Sequence, residues 1–466
     1  MRTILDYINT SKEAAVSFRA PGHKGREIKL DKSGYSEFYN NMLANDVQLP
    51  AGSQDSELVR SLIESTQEYY QDLYGVDHTK LVTRGAGYGV MLSIMACVDG
   101  GGRVVMGRDS CPEAFNALRL GNIDPIYVRP EFDEKYRTCG AITASAVKKA
   151  CSSNPDAAAV FITSPNKYGM IADIDSIAEV AHSFDMILIV DQTYGAHLKF
   201  ADAVKGIQTA AEDCGADIVI DGIGKTLLGQ AGTAIINICS DRVNLEKLAD
   251  IQERMSISDE SYFALGSLGT NEKIIRRHGG EIIQNWMDDL IFAYRELSAI
   301  SGLTIVKAKN LDPTAINISF AKLGVSGEKF YDALVAKSIL PELVHGDYVL
   351  LRSGAGNCRK DYEVLISAIK DIAFENALGK AIETAPIRNT DFGLEYDKIP
   401  TTKEAVPLFR AGGRVLYGSI ETYPPDTAIV CPGEILNADA IGYIVKALER
   451  DERIIGVDDE GFIFVG

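Results

Sequence analysis

The stretch Asp217-Ile-Val-Ile-Asp-Gly-Ile-Gly-Lys225-Thr226 decides the fold. Its apolar run shows no alternation with polar residues, which marks a strand covered on both faces of a parallel sheet. The glycines that follow end the strand and set Lys225 just beyond it. Thirty-four residues upstream a second such run, Met186-Ile-Leu-Ile-Val190, ends on Asp191. In open α/β sheets, ligands bind beyond the carboxyl ends of the strands. Lys225 and Asp191 are therefore expected at one crevice.

A lysine and an aspartate at successive strand ends suit the chemistry of pyridoxal phosphate (PLP). The amine condenses with the cofactor aldehyde. The carboxylate keeps the pyridine nitrogen protonated, so that the ring draws electrons. Two other readings compete. Gly222-Ile-Gly-Lys-Thr226 looks like the end of a phosphate-binding P-loop, but that motif needs a glycine where Val219 stands, and it must open a helix. Here a turn runs into the strand-like Thr233-Ala-Ile-Ile-Asn-Ile238. The other reading is a solvated loop lysine, the usual place for this residue.

Working outward, short apolar runs alternate with helical stretches from about residue 80 to 300. The runs include Arg103-Val-Val-Met106, Pro125-Ile-Tyr-Val128 and Ala158-Ala-Val-Phe-Ile-Thr163. This predicts an α/β fold with a mostly parallel sheet. After residue 300, Leu303–Val306, Ala315–Phe320 and Tyr348–Arg352 read as strands around a helix over 327–337, a smaller α+β unit. The expected organisation is an N-terminal arm (1–50), a PLP-binding major domain (51–300), a small α+β domain (301–375), and a linker with a C-terminal domain (376–466). The helix-like stretch 56–75 opens the major domain.

Composition narrows the function class. The 466 residues carry a net charge of −18, which argues against nucleic acid and anionic membranes as partners. No segment reaches the ~18 apolar residues of a membrane span. The eight cysteines are spread singly, with no zinc-type spacing, so no metal site is expected. With no signal peptide in the sequence, reduced thiols in a cytoplasmic protein are the expectation.

Further residues cluster around the pair. Thr83-Arg-Gly-Ala-Gly-Tyr-Gly89 precedes a helical stretch, so Gly85, Ala86 and Gly87 can offer backbone N–H groups to one phosphate. The dinucleotide fingerprint would need glycine where Val90 stands. Tyr194 can reach the phenolic oxygen of the cofactor, or be a core or interface tyrosine. His197 can orient the site or bond substrate, or make a structural hydrogen bond. His23 and Lys24 lie among glycines, in a solvated loop or in an arm that closes over a site.

The order of these motifs resembles the fold type I PLP-dependent decarboxylases of ornithine, lysine and arginine, in their short form without the N-terminal receiver-like wing. Phe18-Arg-Ala-Pro-Gly-His-Lys-Gly25 is similar to the family's Pro-Gly-His-Lys motif, and Thr83-Arg-Gly-Ala-Gly87 to its phosphate loop Thr-Asn-Gly-Ser-Ser/Thr. Ser164-Pro-Asn-Lys-Tyr-Gly169 is similar to Pro-Thr-Tyr-x-Gly. Val190-Asp-Gln-Thr-Tyr-Gly-Ala-His197 is similar to Val-Asp-Glu-Ala-His-Gly-Ala-His. Lys225 falls on the lysine of Ser-x-His-Lys. Tyr423-Pro-Pro-Asp426 and Pro432-Gly-Glu434 match two C-terminal motifs.

Departures concentrate at the chemistry. Cys111 stands where the family stacks a histidine on the ring, Tyr194 replaces a histidine, Gly222 and Gly224 replace serine and histidine, and Ala86 and Gly87 replace hydroxyl residues. The resemblance implies a PLP-dependent amino-acid decarboxylase, a lyase of polyamine biosynthesis acting on arginine, lysine or ornithine. It also implies a homodimer or larger homo-oligomer with shared sites. It offers His23 and Glu434 as substrate contacts. Transamination or elimination, suggested by Tyr194, and a catalytically silent regulatory paralogue, suggested by the departures, are the alternatives.

Overall fold

The computed structural model describes residues 16–26, 37–47, 55–136, 138–205, 209–256, 261–381, 391–422, 427–450 and 453–466. Seven strands form the central sheet. Their spatial order is His78–Val82, Ala234–Ile238, Ile218–Asp221, Ile187–Gln192, Ala159–Thr163, Arg103–Gly107 and Asp124–Val128. Ala234–Ile238 runs antiparallel to both neighbours and every other pairing is parallel. The α/β expectation thus holds, with one reversed strand that apolar runs alone cannot reveal.

The unbroken apolar runs follow from burial on two sides. Ile218 and Ile220 point to one face, packed with Val104, Phe161 and helices Ala86–Cys97 and Pro112–Gly121. Val219 points to the other, with Val160, Leu188 and helices Ala144–Ser153 and Ile174–Ser183. Each such side chain contributes ~1.5–3 kcal/mol when fully buried. Gly89 allows close approach of its helix, because a Cβ there would stand 3.2 Å from both Ile220 Cγ2 and Ile236 Cγ1.

A 37-residue helix, Tyr262–Ser298, leaves the major sheet and carries Trp286, Met287, Leu290 and Leu297 into a second core. That core belongs to an antiparallel sheet ordered Thr304–Ile305, Ala315–Ser319, Tyr348–Arg352 and Leu343–His345. The N-terminal segment is tied in here, since Val16–Phe18 pairs in parallel with Ile339–Pro341. It is a built part of this unit over its described residues. Towards the C-terminus, Glu404–Pro407 pairs with Phe462–Val465 beside helix Ala438–Leu448. Residues 391–400, expected as linker, are held in part by Tyr396, whose hydroxyl donates to Asp124 Oδ1 (2.9 Å).

Candidate active site

Lys225 lies on a single helical turn, Ile223–Thr226, directly after the strand Ile218–Asp221. A P-loop would continue into a long helix; this turn does not. Two glycines shape it. A Cβ at Gly222 would lie 2.3 Å from the Thr193 carbonyl oxygen, and one at Gly224 would lie 2.2 Å from that of Gln230. The serine and histidine that the family resemblance would put at these positions therefore have no room here. Neighbouring segments clamp the turn: Gly22 N–H donates to the Gly224 carbonyl (3.2 Å), and Ala355 N–H to that of Thr226 (2.8 Å).

Asp191 sits in the adjacent strand, 3% exposed. Its Oδ1 accepts from the Thr193 backbone (3.1 Å) and hydroxyl (2.5 Å). Burial raises its pKa above the usual carboxylate range; hydrogen bonds from Thr193 and Cys111 oppose this, and the charge of Glu113 adds to it. Thr193 thus joins the two expected residues, bonding Asp191 through its side chain and packing through its carbonyl on Gly222, next to Lys225 Cγ. Cys111, at the N-cap of helix Pro112–Gly121, has its thiol pushed well up by burial and by Asp191 and Glu113.

The glycine loop opens helix Ala86–Cys97. Gly85 is its N-cap, at φ +86°, with no capping side chain. A Cβ at Gly85 would meet nothing within 4 Å, so the helix start faces open space. The Glu113 side chain lies beside it: a Cβ at Gly87 would come within 2.5 Å of Glu113 Cγ and 3.0 Å of Oε1. A carboxylate thus already stands next to the expected phosphate cradle.

Tyr194 carries two cations on its ring, Lys225 with Nζ 5.3 Å and Arg352 with Cζ 3.9 Å from the centroid. Arg352 was not among the residues the sequence suggested. It ends the strand Tyr348–Arg352, and only tertiary folding brings it here. His197 is 1% exposed and sits between Thr226 Oγ1 (3.3 Å from Nδ1) and Asp312 Oδ1 (3.2 Å from Nε2). Burial alone would raise the Asp312 pKa; His197 and Thr314 instead hold it down to about 2. In this placement His197 links the Lys225 turn to the small sheet and is a positioning residue.

The remaining expected residues lie apart from Lys225 in role. His23 stacks on Tyr39, with ring centroids 6.3 Å apart, while the preceding Gly22 packs on the Lys225 turn. Burial pulls the Lys24 amine down to about 7, against the pull of Glu342 and with the push of Arg352. Lys24 Nζ donates to the carbonyls of Arg19 (2.9 Å) and Arg352 (3.0 Å). Glu434 is buried against Arg108, bonded through both carboxylate oxygens, and also accepts from Cys431 N–H (2.7 Å). Its oxygens are taken up in fastening the C-terminal unit. Tyr423–Asp426 lie outside the described residues.

The residues fit PLP. A buried carboxylate stands ready for the ring nitrogen, a lysine amine lies one strand away, and an uncapped helix start offers N–H groups to phosphate. The fit is weakest at Glu113, whose side chain must yield to a phosphate. Among the described residues no three His, Cys, Asp or Glu gather as a metal needs, and no helix is long and apolar enough to cross a membrane.

Comparison with known proteins shows the family. The family model described as "Orn/Lys/Arg decarboxylase, major domain" matches residues 2–332. An arginine decarboxylase of Bacillus anthracis is 26% identical over 476 residues, covering 97% of this chain and 94% of that one. One of Bacillus subtilis strain 168 is 25% identical over 477 residues, covering 97% and 95%. Lysine decarboxylase A from Pseudomonas aeruginosa superposes with a TM-score of 0.73 at 12% identity, over 99% of this chain and 81% of that one. That last likeness speaks for the fold alone.

Proposed function

The chain belongs to the Orn/Lys/Arg decarboxylase family, and we propose that it is a PLP-dependent carboxy-lyase acting on a basic amino acid, with arginine the first choice. The observation that carries this is the placement of Lys225 and Asp191 at neighbouring strand ends, coupled through Thr193. The Bacillus relatives named arginine decarboxylases support the choice of substrate.

When bound, PLP supplies an electron-poor ring that accepts the electron pair left behind by departing CO₂. The chain supplies the rest. Asp191 would hold a proton on the ring nitrogen in a buried, charge-assisted pair: burial raises its pKa, the hydrogen bonds from Thr193 and Cys111 oppose that, and the pyridinium charge would add to them in favouring the carboxylate. Lys225 would hold the cofactor, and its Nζ would carry the proton that replaces the carboxylate. Backbone N–H groups of Ala86 and Gly87 would hold the phosphate in place of the missing hydroxyls, whereas that of Gly85, expected to share in this, already donates to the Gly232 carbonyl (2.6 Å).

His197, through Thr226, keeps the Lys225 turn in register with Asp312. A second reading, transamination or elimination, is favoured by Tyr194 with its two attendant cations. Incubation with PLP and arginine, lysine or ornithine separates the two. Amine and CO₂ from one of them support decarboxylation; keto acid without amine overturns it.

We further infer cytoplasmic residence, a homodimeric assembly and a role in polyamine biosynthesis. All eight cysteines are free thiols, which supports a reducing compartment. Met42, Leu43, Leu58, Leu62 and Tyr69 are exposed on the N-terminal helices, which supports a covering copy. The division proposed is an N-terminal segment, a major domain to about residue 300, a small domain to 375, and a C-terminal unit.

A further inference from the structure

We propose that Asp221 and Glu212 share one proton, and that this carboxyl pair is a positioning device for the Lys225 turn. Its effect on the cofactor rests on the reading of Lys225 as the reactive amine; the shared proton does not. Asp221 ends the strand Ile218–Asp221 and is 0% exposed. Glu212, on the short turn Ala211–Asp213, is half-buried. Two amides bridge the acids. Gln192 Nε2 donates to Glu212 Oε2 and to Asp221 Oδ1, both at 3.0 Å. Asn237 Nδ2 donates to Glu212 Oε1 (3.1 Å) and to Asp221 Oδ2 (3.0 Å).

The amides are held in this orientation from behind. Gln192 Oε1 accepts from Ala211 N–H (2.9 Å), and Asn237 Oδ1 from the Thr79 hydroxyl (2.8 Å). Both therefore keep their N–H ends on the carboxylates and bring the two acids together. Close, buried carboxylates do not both ionise. Burial and the Glu212 charge push the Asp221 pKa well up, against the two amide bonds. The other charged groups near by are mostly acids, Asp77, Asp213 and Asp217, which favour the proton. Lys199 is paired with Asp213 (2.5 Å). Burial and the two carboxylates push up the Tyr74 phenol and the Cys239 thiol, so both stay neutral. Burial and its acidic neighbours do the same to Cys214.

The bridged acids span the two strand ends that carry the site. Gln192 follows Asp191, Asp221 precedes Gly222, and Gln192 and Asp221 are register partners. Asn237 and Thr79 extend the network across the next two strands. A second negative charge here drives the acids apart. Gly222 then moves against the Thr193 carbonyl, where a Cβ would already stand 2.3 Å away, and carries Lys225 with it. Glu212, the half-buried member, gives the proton its route to solvent.

An acid whose pKa is raised by folding stabilises the fold less as pH climbs from the usual carboxylate range to the raised value. The cofactor-free protein, E212Q and D221N are melted between about pH 5 and 10, across the range where carboxyl groups so shifted titrate. Each new amide keeps a donor between the two side chains at every pH. It leaves one bridging N–H without an acceptor, a loss that does not change with pH. The lead of the unmodified protein in melting temperature should therefore shrink as pH rises. A merely structural contact would give a constant lead. PLP retained after dialysis, read by its absorbance, should fall in the unmodified protein relative to E212Q. The limit for one linked proton is about tenfold per pH unit.

If neither variant folds, the infrared spectrum of D191N decides, since this variant lacks the buried acid of the cofactor site. A protonated carboxyl band at neutral pH that disappears at alkaline pH is expected. A lead that is constant in pH, or the absence of that band, overturns the shared proton. PLP retention that follows E212Q at every pH overturns the positioning role. A protein that takes no PLP at any pH fails the broader reading, while the melting curves still test the pair.

Discussion

At the scale of single residues, the site combines positions that the sequence exposes with contacts it hides. Lys225 and Asp191 are legible because each stands at or just beyond the end of an unbroken apolar run. Cys111 and Glu113 are visible only as departures or ordinary polar residues; their approach to Asp191 and Gly87 needs the packed fold. Arg352 lies 161 positions from Asp191 and carries no motif, so nothing local marks it. Glu113 leads to a prediction. Its carboxylate beside the helix start opposes a phosphate by like charge and by occupying space. E113Q should bind PLP severalfold more tightly, with the gain shrinking in high salt as screening requires. Cofactor titration at two ionic strengths checks this; unchanged or weaker binding would remove Glu113 from the cradle.

At the scale of elements, the strands were readable and the turns were not. Double-sided burial writes itself into sequence as continuous apolar runs, whereas the reversed direction of Ala234–Ile238 leaves no compositional trace. The glycines at 222 and 224 looked like losses of function against related chains. The structure gives them a steric cause, because backbone carbonyls fill the space a side chain needs. G222A therefore should lower stability by about 1–3 kcal/mol, the usual cost of an overpacked position. It should also displace Lys225, slowing PLP attachment. A melting curve paired with the rate of cofactor uptake tests both. A variant matching the parent in both would show that the Thr193 contact has slack.

At the scale of the whole molecule, segments distant in sequence converge on the strand ends. The strap at Gly22, the Lys225 turn and Ala355 interlock through backbone hydrogen bonds. Asp312 and His197 tie the small sheet to the same turn. On the far edge, Arg108 and Glu434, 3% and 6% exposed, fasten the C-terminal unit to the strand Arg103–Gly107. Removing one partner of a buried pair strands the other charge, at a cost of about 3–5 kcal/mol. E434Q is expected to destabilise the protein by that order and to loosen the C-terminal unit. Denaturant unfolding with limited proteolysis reads this; a fully stable E434Q would assign Glu434 a role other than fastening.

In the proposed function Lys225 is the amine that carries the cofactor. Its most direct test is borohydride reduction of the PLP-loaded protein followed by peptide mapping. A single phosphopyridoxyl group is expected on Lys225, with its loss in K225A. A label on another lysine, or none with PLP in excess, would contradict it.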